Sequence, residues 1–261
     1  MNCIFSVIWN HSRNAFVVVS ELTTRRGKRS DVRAIQVDDH STPFNGAITP
    51  PPFAIALISF IVSFMPVISM AADLPTGGNV VLGSGQIGAA ADHQLTINQS
   101  GQKMAIDWQS FNIGKDNKVT FVQPGADSVA LNRVIGADGS KIMGQLNANG
   151  RVFLINPNGV LFGQGASVSV GGLVASTLNI SNQDFANGKY RFRGDGSNAS
   201  VINQGTINAA DGGAVVLLGG TVSNQGVIVA KQGTVALAAG NAVTLDFAGD
   251  GLLNVQVDEA T

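Results

Sequence analysis

From residue 199 onward the chain repeats itself, and this repeat constrains the fold more than any other feature of the sequence. Residues 201–209 (VINQGTINA) recur as residues 222–230 (VSNQGVIVA), an offset of 21, and residues 213–217 (GAVVL) recur as residues 233–237 (GTVAL), an offset of 20. The blocks are short, strand-like and without helical spacing. Short strands at this period predict a parallel β-helix, in which each coil buries Val, Ile and Leu and stacks on its neighbour.

The repeat also predicts details of the coils. Equivalent residues Asn203 and Asn224 are expected to stack at a corner, where a ladder of amides can satisfy the backbone of the turns. Val243, Leu245 and Phe247 are interpreted as the start of another coil. The pattern reaches residue 261 without the polar cap that a solenoid needs for solubility. Both a longer protein and a deliberately short one fit this observation.

The same alternation of short strand and tight turn fills residues 73–261. The apolar run at 152–155 is followed by Asn156-Pro157-Asn158-Gly159, in which Pro157 fits the second position of a β-turn and Gly159 the fourth. Alone, such a tetrapeptide is an ordinary exposed turn.

The first 72 residues have a different composition and predict an export signal. Residues 1–52 form a long basic region, residues 53–64 are an uncharged apolar run, and Ala71, with Ala72 as the alternative, ends a small-residue cleavage site. A membrane anchor is the alternative, since residues 53–72 are about long enough to span a bilayer. Pro66 interrupts that run and no basic cluster follows it, so cleavage is favoured.

Composition argues against several classes of function. Charged residues make up 13% of the chain and the net charge is -1, which gives no indication of a nucleic-acid-binding surface. The one cysteine is Cys3, in the segment expected to be removed, so the mature chain is predicted to have no disulfide and no thiolate site. No metal or other cofactor is predicted.

Catalytic groups are sparse in the predicted mature chain, so no enzymatic role is predicted. His93 is its only histidine, and no spacing places two carboxylates on equivalent positions of adjacent coils, as a carboxylate pair would require. Residues 83–88 match G-x-G-x-x-G, but the alternating strand pattern that follows leaves no room for the helix of a dinucleotide site.

Other segments give local predictions. Trp108 and Phe111 are expected to be core aromatics under a sheet, and Arg133 is either a buried organising residue or surface. Residues 182–200 are interpreted as an edge hairpin, because aromatic residues alternate with arginines there. Residues 141–143 are expected to form one turn of helix at most.

Several blocks in order carry a resemblance to a known family. They are IDWQSFNIG at 106–114, VTFVQP at 119–124, ALNRV at 130–134, GQLNANG at 144–150 and the turn at 156–159. This set resembles the secretion domain at the N-terminus of the filamentous haemagglutinin family, the large exoproteins of bacterial two-partner secretion. Residues 4–28 separately resemble the extended signal-peptide region of autotransporters and two-partner exoproteins. One departure is that the Asn-Pro-Asn-Leu motif of some members is absent.

The resemblance implies a fold, a route and partners. The fold is an all-β, right-handed parallel β-helix with short extra-helical hairpins over residues 73–261. The route is export by the Sec machinery, cleavage by signal peptidase, and passage through the periplasm to the medium or the cell surface. The implied partner is an outer-membrane β-barrel transporter with POTRA domains, and Asn156, Pro157, Asn158 and Gly159 are the candidate recognition turn. The alternative function is an adhesin that binds glycans or proteins on a host cell.

Overall fold

The structure is a computed structural model that describes residues 74–247 and 253–259, together with the backbone of β1 (Phe5–Asn10) and β2 (Ala15–Ser20). β1 and β2 pair in antiparallel fashion. The apolar run at 53–64 and the cleavage residues Ala71 and Ala72 lie outside the described residues. Within the described part of the chain, no helix is long and apolar enough to cross a membrane.

The described part after residue 73 is almost entirely β-structure. Its elements, in chain order, are β3 (Asn79–Leu82), β4 (Gly85–Ile87), β5 (Gln94–Gln99), β6 (Lys103–Trp108), β7 (Lys118–Val122), β8 (Val129–Val134), β9 (Ser140–Ile142), β10 (Gln145–Ala148), β11 (Arg151–Ile155), β12 (Val160–Phe162), β13 (Ser167–Val170), β14 (Gly172–Ser176), α1 (Asn182–Ala186), β15 (Tyr190–Arg193), β16 (Ser200–Asn203), β17 (Thr206–Ala209), β18 (Ala214–Gly219), β19 (Thr221–Asn224), β20 (Val227–Ala230), β21 (Thr234–Ala239), β22 (Ala242–Asp246) and β23 (Asn254–Glu259).

Three sheets wrap around one axis and form a parallel β-solenoid. Sheet A has the order β20-β17-β13-β10-β7-β5-β4, sheet B the order β21-β18-β14-β11-β8-β6-β3, and sheet C the order β19-β16-β12-β9. Successive coils therefore begin at β5, β7, β10, β13, β17 and β20, which we number coils 1 to 6. The parallel β-helix expected from the repeat is confirmed, and so is its register, since Val201 pairs with Val222 and Val215 with Val235.

The first coil is covered by two strands of opposite direction. β4 pairs antiparallel with β5, and β3 pairs antiparallel with β6. The edge strands of coil 1 thus have hydrogen-bonding partners on their outer side. An unpaired edge would otherwise be a template for pairing with another chain.

The interior of the solenoid is an apolar core built from one face of every strand. In β6, Met104, Ile106 and Trp108 are buried toward the axis, and Phe111 lies in the same cluster. The prediction that Trp108 and Phe111 are core aromatics is therefore confirmed. Their rings meet edge to face, with centroids 5.5 Å apart.

Sheet B also has a buried outer face, which forms a second core. Its outward residues include Leu131, Phe153 and Val216, and these pack under α1, β15, β22 and β23. We call residues 177–199, which carry α1 and β15, the strap. The strap leaves the solenoid after β14 and returns at β16.

Two local predictions are wrong. Residues 182–200 do not form a hairpin, because α1 precedes a single strand, β15, and that strand pairs antiparallel with β22. Val243 and Leu245 belong to β22, which covers sheet B and does not begin another coil. Residues 141–143, expected to form one helical turn at most, contain the end of strand β9. Period-two alternation marks one buried face, but it does not reveal which strand will be the neighbour or its direction.

Candidate functional site

The Asn-Pro-Asn-Gly turn connects sheet B to sheet C in coil 3. It begins directly after β11, and β12 starts at Val160. The amide of Gly159 donates to the carbonyl of Asn156 at 3.0 Å, which closes a four-residue β-turn with Pro157 in its second position. The turn positions expected from the sequence are confirmed. The role of the turn in recognition stays a prediction.

Asn156 is fully buried and fixes the shape of the turn. Its Nδ2 donates to the carbonyl of Asp138 at 2.9 Å and lies 3.0 Å from Oγ of Ser140, both in coil 2. Its Oδ1 accepts the backbone N–H of Asn158 at 2.9 Å. One amide side chain therefore ties the turn to the previous coil and sets its local geometry. Because the group is buried, loss of these partners would be costly.

Asn158 is exposed on the outer side of the same turn. Its Nδ2 donates to the carbonyl of Gly136 at 3.0 Å, again in coil 2. Among the described residues none donates to its Oδ1, so this oxygen is free to accept a hydrogen bond from water or from a partner. Asn156 thus shapes the turn, and Asn158 presents a polar group to solvent.

Gly159 requires glycine for conformational reasons. Its φ is 112°, a region that residues with a Cβ rarely adopt, and a Cβ would also meet the carbonyl oxygen of Ser200 at 3.3 Å. An open groove runs beside the turn over the outer face of sheet C. Asn158, Gly159, Leu161 and Ile202 contribute to its lining.

The predicted ladder of amides is present at the corner after β16 and β19. Nδ2 of Asn203 donates to Oδ1 of Asn224 at 2.8 Å, and Oδ1 of Asn203 accepts the N–H of Gly205 at 3.1 Å. Gln204 and Gln225 continue the ladder one position on, at 3.1 Å. The expectation of stacked asparagines is confirmed.

A second amide cluster was not foreseen. Nε2 of Gln123 donates to Oε1 of Gln99 at 3.0 Å, its Oε1 accepts the N–H of Gly150 at 3.0 Å, and its backbone exchanges two bonds of 2.7 Å with the side chain of Asn149. The cluster joins coils 1, 2 and 3 between sheets A and B. Its members are spaced irregularly in sequence, so only the recurrence of Gln or Asn at the ends of β5, β7 and β10 could have signalled it.

Among the described residues, the histidine, the glycine-rich segment and the carboxylates do not form a common site. His93 is exposed, and its Nδ1 lies 2.9 Å from Oδ1 of Asn117. The glycine-rich segment at 83–88 leads into β4 rather than a helix. In the part of the chain that the structure describes, no three His, Cys, Asp or Glu residues are grouped so as to hold a metal ion.

Comparison with known proteins adds family and structural relatives. A model of the TPS secretion domain matches residues 71–259, and a model of the extended signal peptide of the type V secretion system matches residues 1–45. The described solenoid is similar to the crystal structure of the HMW1 secretion domain from Haemophilus influenzae. The TM-score is 0.65 at 34% identity, over 71% of this chain and 49% of that one.

Two curated relatives are longer proteins. A heme/hemopexin-binding protein of Haemophilus influenzae is 41% identical over 198 residues, which cover 72% of this chain and 21% of the relative. A second protein of the same name and species is 40% identical over 133 residues, 51% of this chain and 14% of the relative. The chain thus spans about a fifth or less of the length of these relatives.

The two family matches cover the same two parts of the chain as the resemblance seen in the sequence. The solenoid has the fold that this resemblance implies. An extended signal peptide places the protein on the route through the periplasm, to the medium or the cell surface. The chain belongs to the TPS secretion domain family and carries the secretion domain of an exported, two-partner exoprotein.

Proposed function

We propose that the cognate outer-membrane transporter recognises this domain through its periplasmic POTRA domains, and that the turn 156–159 is part of the recognised surface. One observation carries the proposal. Within a single turn, Asn156 is fully buried and satisfied while Asn158 is exposed with a free acceptor oxygen. A rigid turn that presents a polar group suits recognition, because little conformational entropy is lost when a partner binds it.

The architecture supports export in an unfolded state followed by folding outside. Each coil stacks only on its neighbours, so coils can form in sequence as the chain emerges. The one cysteine of this sequence, Cys3, precedes the predicted cleavage site, so residues 73–261 contain no disulfide that could lock them before passage. We also propose that the domain has no enzymatic activity of its own.

The experiment is secretion of the full chain, co-expressed with its transporter, with substitutions in the turn. Asn158→Ala is expected to reduce the amount in the medium several-fold while the purified protein unfolds at nearly the wild-type temperature. Asn156→Ala is expected to reduce both, because the turn loses its internal scaffold. Asn98→Ala, at an exposed position of β5, is the matched control and is expected to be secreted normally. Normal secretion of both turn variants would exclude the recognition role.

A second candidate function is direct binding to a host surface or host protein. The observation in its favour is the name of the curated relatives, which makes haem-hemopexin a ligand to test. The test is binding of the secreted chain to haem-loaded hemopexin and to host cells. Saturable binding would favour this function beside secretion, and absence of binding would leave secretion as the function of the domain.

A further inference from the structure

Two cations on the outer face of sheet B hold the strap, and they come from the first two coils. Lys103 lies in β6 and Arg133 in β8, whereas their partners lie 46 to 83 residues later in the chain. The bonds of each cation can therefore form only after the strap has reached its strand, and β6 and β8 are neighbours in sheet B.

The guanidinium of Arg133 hydrogen-bonds the start of the strap. Nε donates to Oδ1 of Asn179 at 3.0 Å, and the second terminal nitrogen donates to the carbonyl of Ile180 at 3.0 Å and to Oδ1 of Asn182 at 2.7 Å. The other terminal nitrogen pairs with Asp107 at 3.3 Å. The side chain is half-buried, with 14% of its surface exposed, and its partners identify Arg133 as an organising residue rather than plain surface. Its planar guanidinium has donors in a fixed geometry, so it bonds several acceptors that lie in different directions.

Lys103 binds the other end of α1. Its Nζ donates to the carbonyls of Phe185 and Ala186, each at 3.0 Å, and lies 5.9 Å and 5.8 Å from the ring centroids of Phe185 and Tyr190. The last turn of α1 contains no basic residue of its own. Lys103 supplies from coil 1 the positive charge that the carbonyl end of a helix favours. Burial lowers the pKa of Lys103, consistent with its partial removal from water.

The strap in turn supplies the neighbour for the last described strands. The ring of Phe153, on the outer face of sheet B, packs against Phe185, Tyr190 and Phe192 with centroids 5.3 to 6.3 Å apart. β15 then pairs with β22, and β22 with β23, in a sheet of order β15-β22-β23. Without β15 in place, β22 lacks the hydrogen-bonding partner beside which it packs on the outer face of sheet B.

We propose that Lys103 and Arg133 are positioning residues of a folding latch: they capture the strap once coils 1 and 2 have formed, and so place β15 to receive β22 and β23. Before the strap arrives, both cations are hydrated, so no desolvation free energy opposes the formation of coils 1 and 2. Once the strap docks, both cations make charge-assisted hydrogen bonds to backbone carbonyls, and Arg133 also bonds two side-chain amide oxygens. The latch rests on the proposed function and deepens it, because it gives an order of folding to a chain that is exported unfolded.

Chymotrypsin can report on the latch in the secreted full chain, because it cuts after aromatic residues. Cleavage after Phe185, Tyr190 and Phe192 reports opening of the strap, and cleavage after Phe121 and Phe162 reports opening of the inner core. The test variants are Arg133→Gln, Lys103→Met and their combination. The matched controls are Arg191→Gln and Lys141→Met, at exposed positions whose side chains have no hydrogen-bonding partner among the described residues.

The combined variant is expected to be cut in the strap about tenfold faster or more than wild type, as for the loss of a charge-assisted hydrogen bond. The inner-core sites are expected to remain protected. Strap cleavage at the rate of the controls would overturn the proposal. Equal exposure of strap and core sites would also overturn it, because the cations would then stabilise the solenoid as a whole.

Refolding from urea gives a second, independent measurement. In wild type the core sites are expected to become protected before the strap sites, and in the combined variant only protection of the strap is expected to slow. Protection of the strap first would refute the latch. These measurements involve no transporter. They can therefore refute the latch without refuting recognition of the turn at Asn158, and the secretion assay can refute recognition without refuting the latch.

Discussion

The indole N–H of Trp108 in coil 1 donates to Oδ1 of Asn132 in coil 2 across 3.0 Å, and both side chains lie inside the solenoid. In the register of sheet B, Asn132 stands between Ile106 and Leu154, so an amide occupies a row of inward-facing aliphatic residues. Its Nδ2 donates to the carbonyls of Ala130 and Phe153 at 3.3 and 3.4 Å. The buried amide is thus satisfied by its own strand, the next coil and the indole.

This pair predicts a non-additive double substitution. Asn132→Ala removes the acceptor and leaves a cavity, and it is expected to lower the free energy of unfolding by about 2–4 kcal/mol. Asn132→Leu fills the space but leaves the indole N–H buried without a partner. Trp108→Phe with Asn132→Leu removes both polar groups, so it is expected to cost less than the sum of the single changes. Urea unfolding of wild type, Trp108→Phe, Asn132→Leu and the double variant measures the coupling, and strict additivity would contradict it.

Asn156→Asp separates the two functions of the buried amide in the turn. The carboxylate keeps an acceptor for the N–H of Asn158, but it replaces the Nδ2 donor with an oxygen that faces the carbonyl of Asp138. A buried charge and an acceptor facing an acceptor are expected to lower the melting temperature strongly at pH 7. Burial raises the pKa of such a carboxyl, so part of the loss is expected to return in mildly acidic buffer. Asn158→Asp, at an exposed position, is the control, and a loss independent of pH would argue against this reading.

The amide ladder predicts unequal costs at neighbouring positions. Asn203 is fully buried and bonds both Asn224 and the N–H of Gly205, whereas the bond of Gln204 to Gln225 is exposed. Asn203→Ala is therefore expected to cost about 1–3 kcal/mol of stability and Gln204→Ala about 0.5 kcal/mol or less. Denaturant unfolding compares the two variants directly, and similar costs would show that the ladder is not a determinant of stability.

Tyr190 predicts a loss of stability in alkaline solution. Burial raises its pKa above the ordinary value of 10.0, and the positive charge of Arg151 opposes that shift only in part. Below pH 10 the tyrosine is protonated in both states. Above it the unfolded chain releases the proton while the folded chain retains it, so stability falls as pH rises.

Tyr190 is the only tyrosine, so absorbance at the phenolate band reports its ionisation without ambiguity. The titration midpoint is expected to lie above that of the urea-unfolded chain. Tyr190→Phe is expected to flatten the decline in stability over the same pH range. Equal midpoints in the folded and unfolded chains would contradict the buried environment of this ring.

The repeating architecture could be predicted from the residues alone. Offsets of 20 and 21 residues bring Val201 onto Val222 and Asn203 onto Asn224, and a chain with that periodicity can bury its alternating aliphatic residues only by stacking coils. The turn could be predicted as well, since Pro157 presets its backbone angle and Gly159 is the residue suited to a φ of 112°. These features depend on local geometry and on a fixed period, which a sequence displays directly.

The elements that cover sheet B, and the roles of Asn156 and Arg133, could be assigned only from the folded structure. Period-two alternation in β15 and β22 marks one buried face, but the antiparallel pairing of Tyr190 with Leu245 joins residues 55 apart with no periodic signal. The partners of Arg133 are backbone carbonyls and amide oxygens brought near by folding, 46 to 49 residues away along the chain. Bonds to such groups depend on where the backbone lies in space, so the arrangement of coils had to be known before these roles could be assigned.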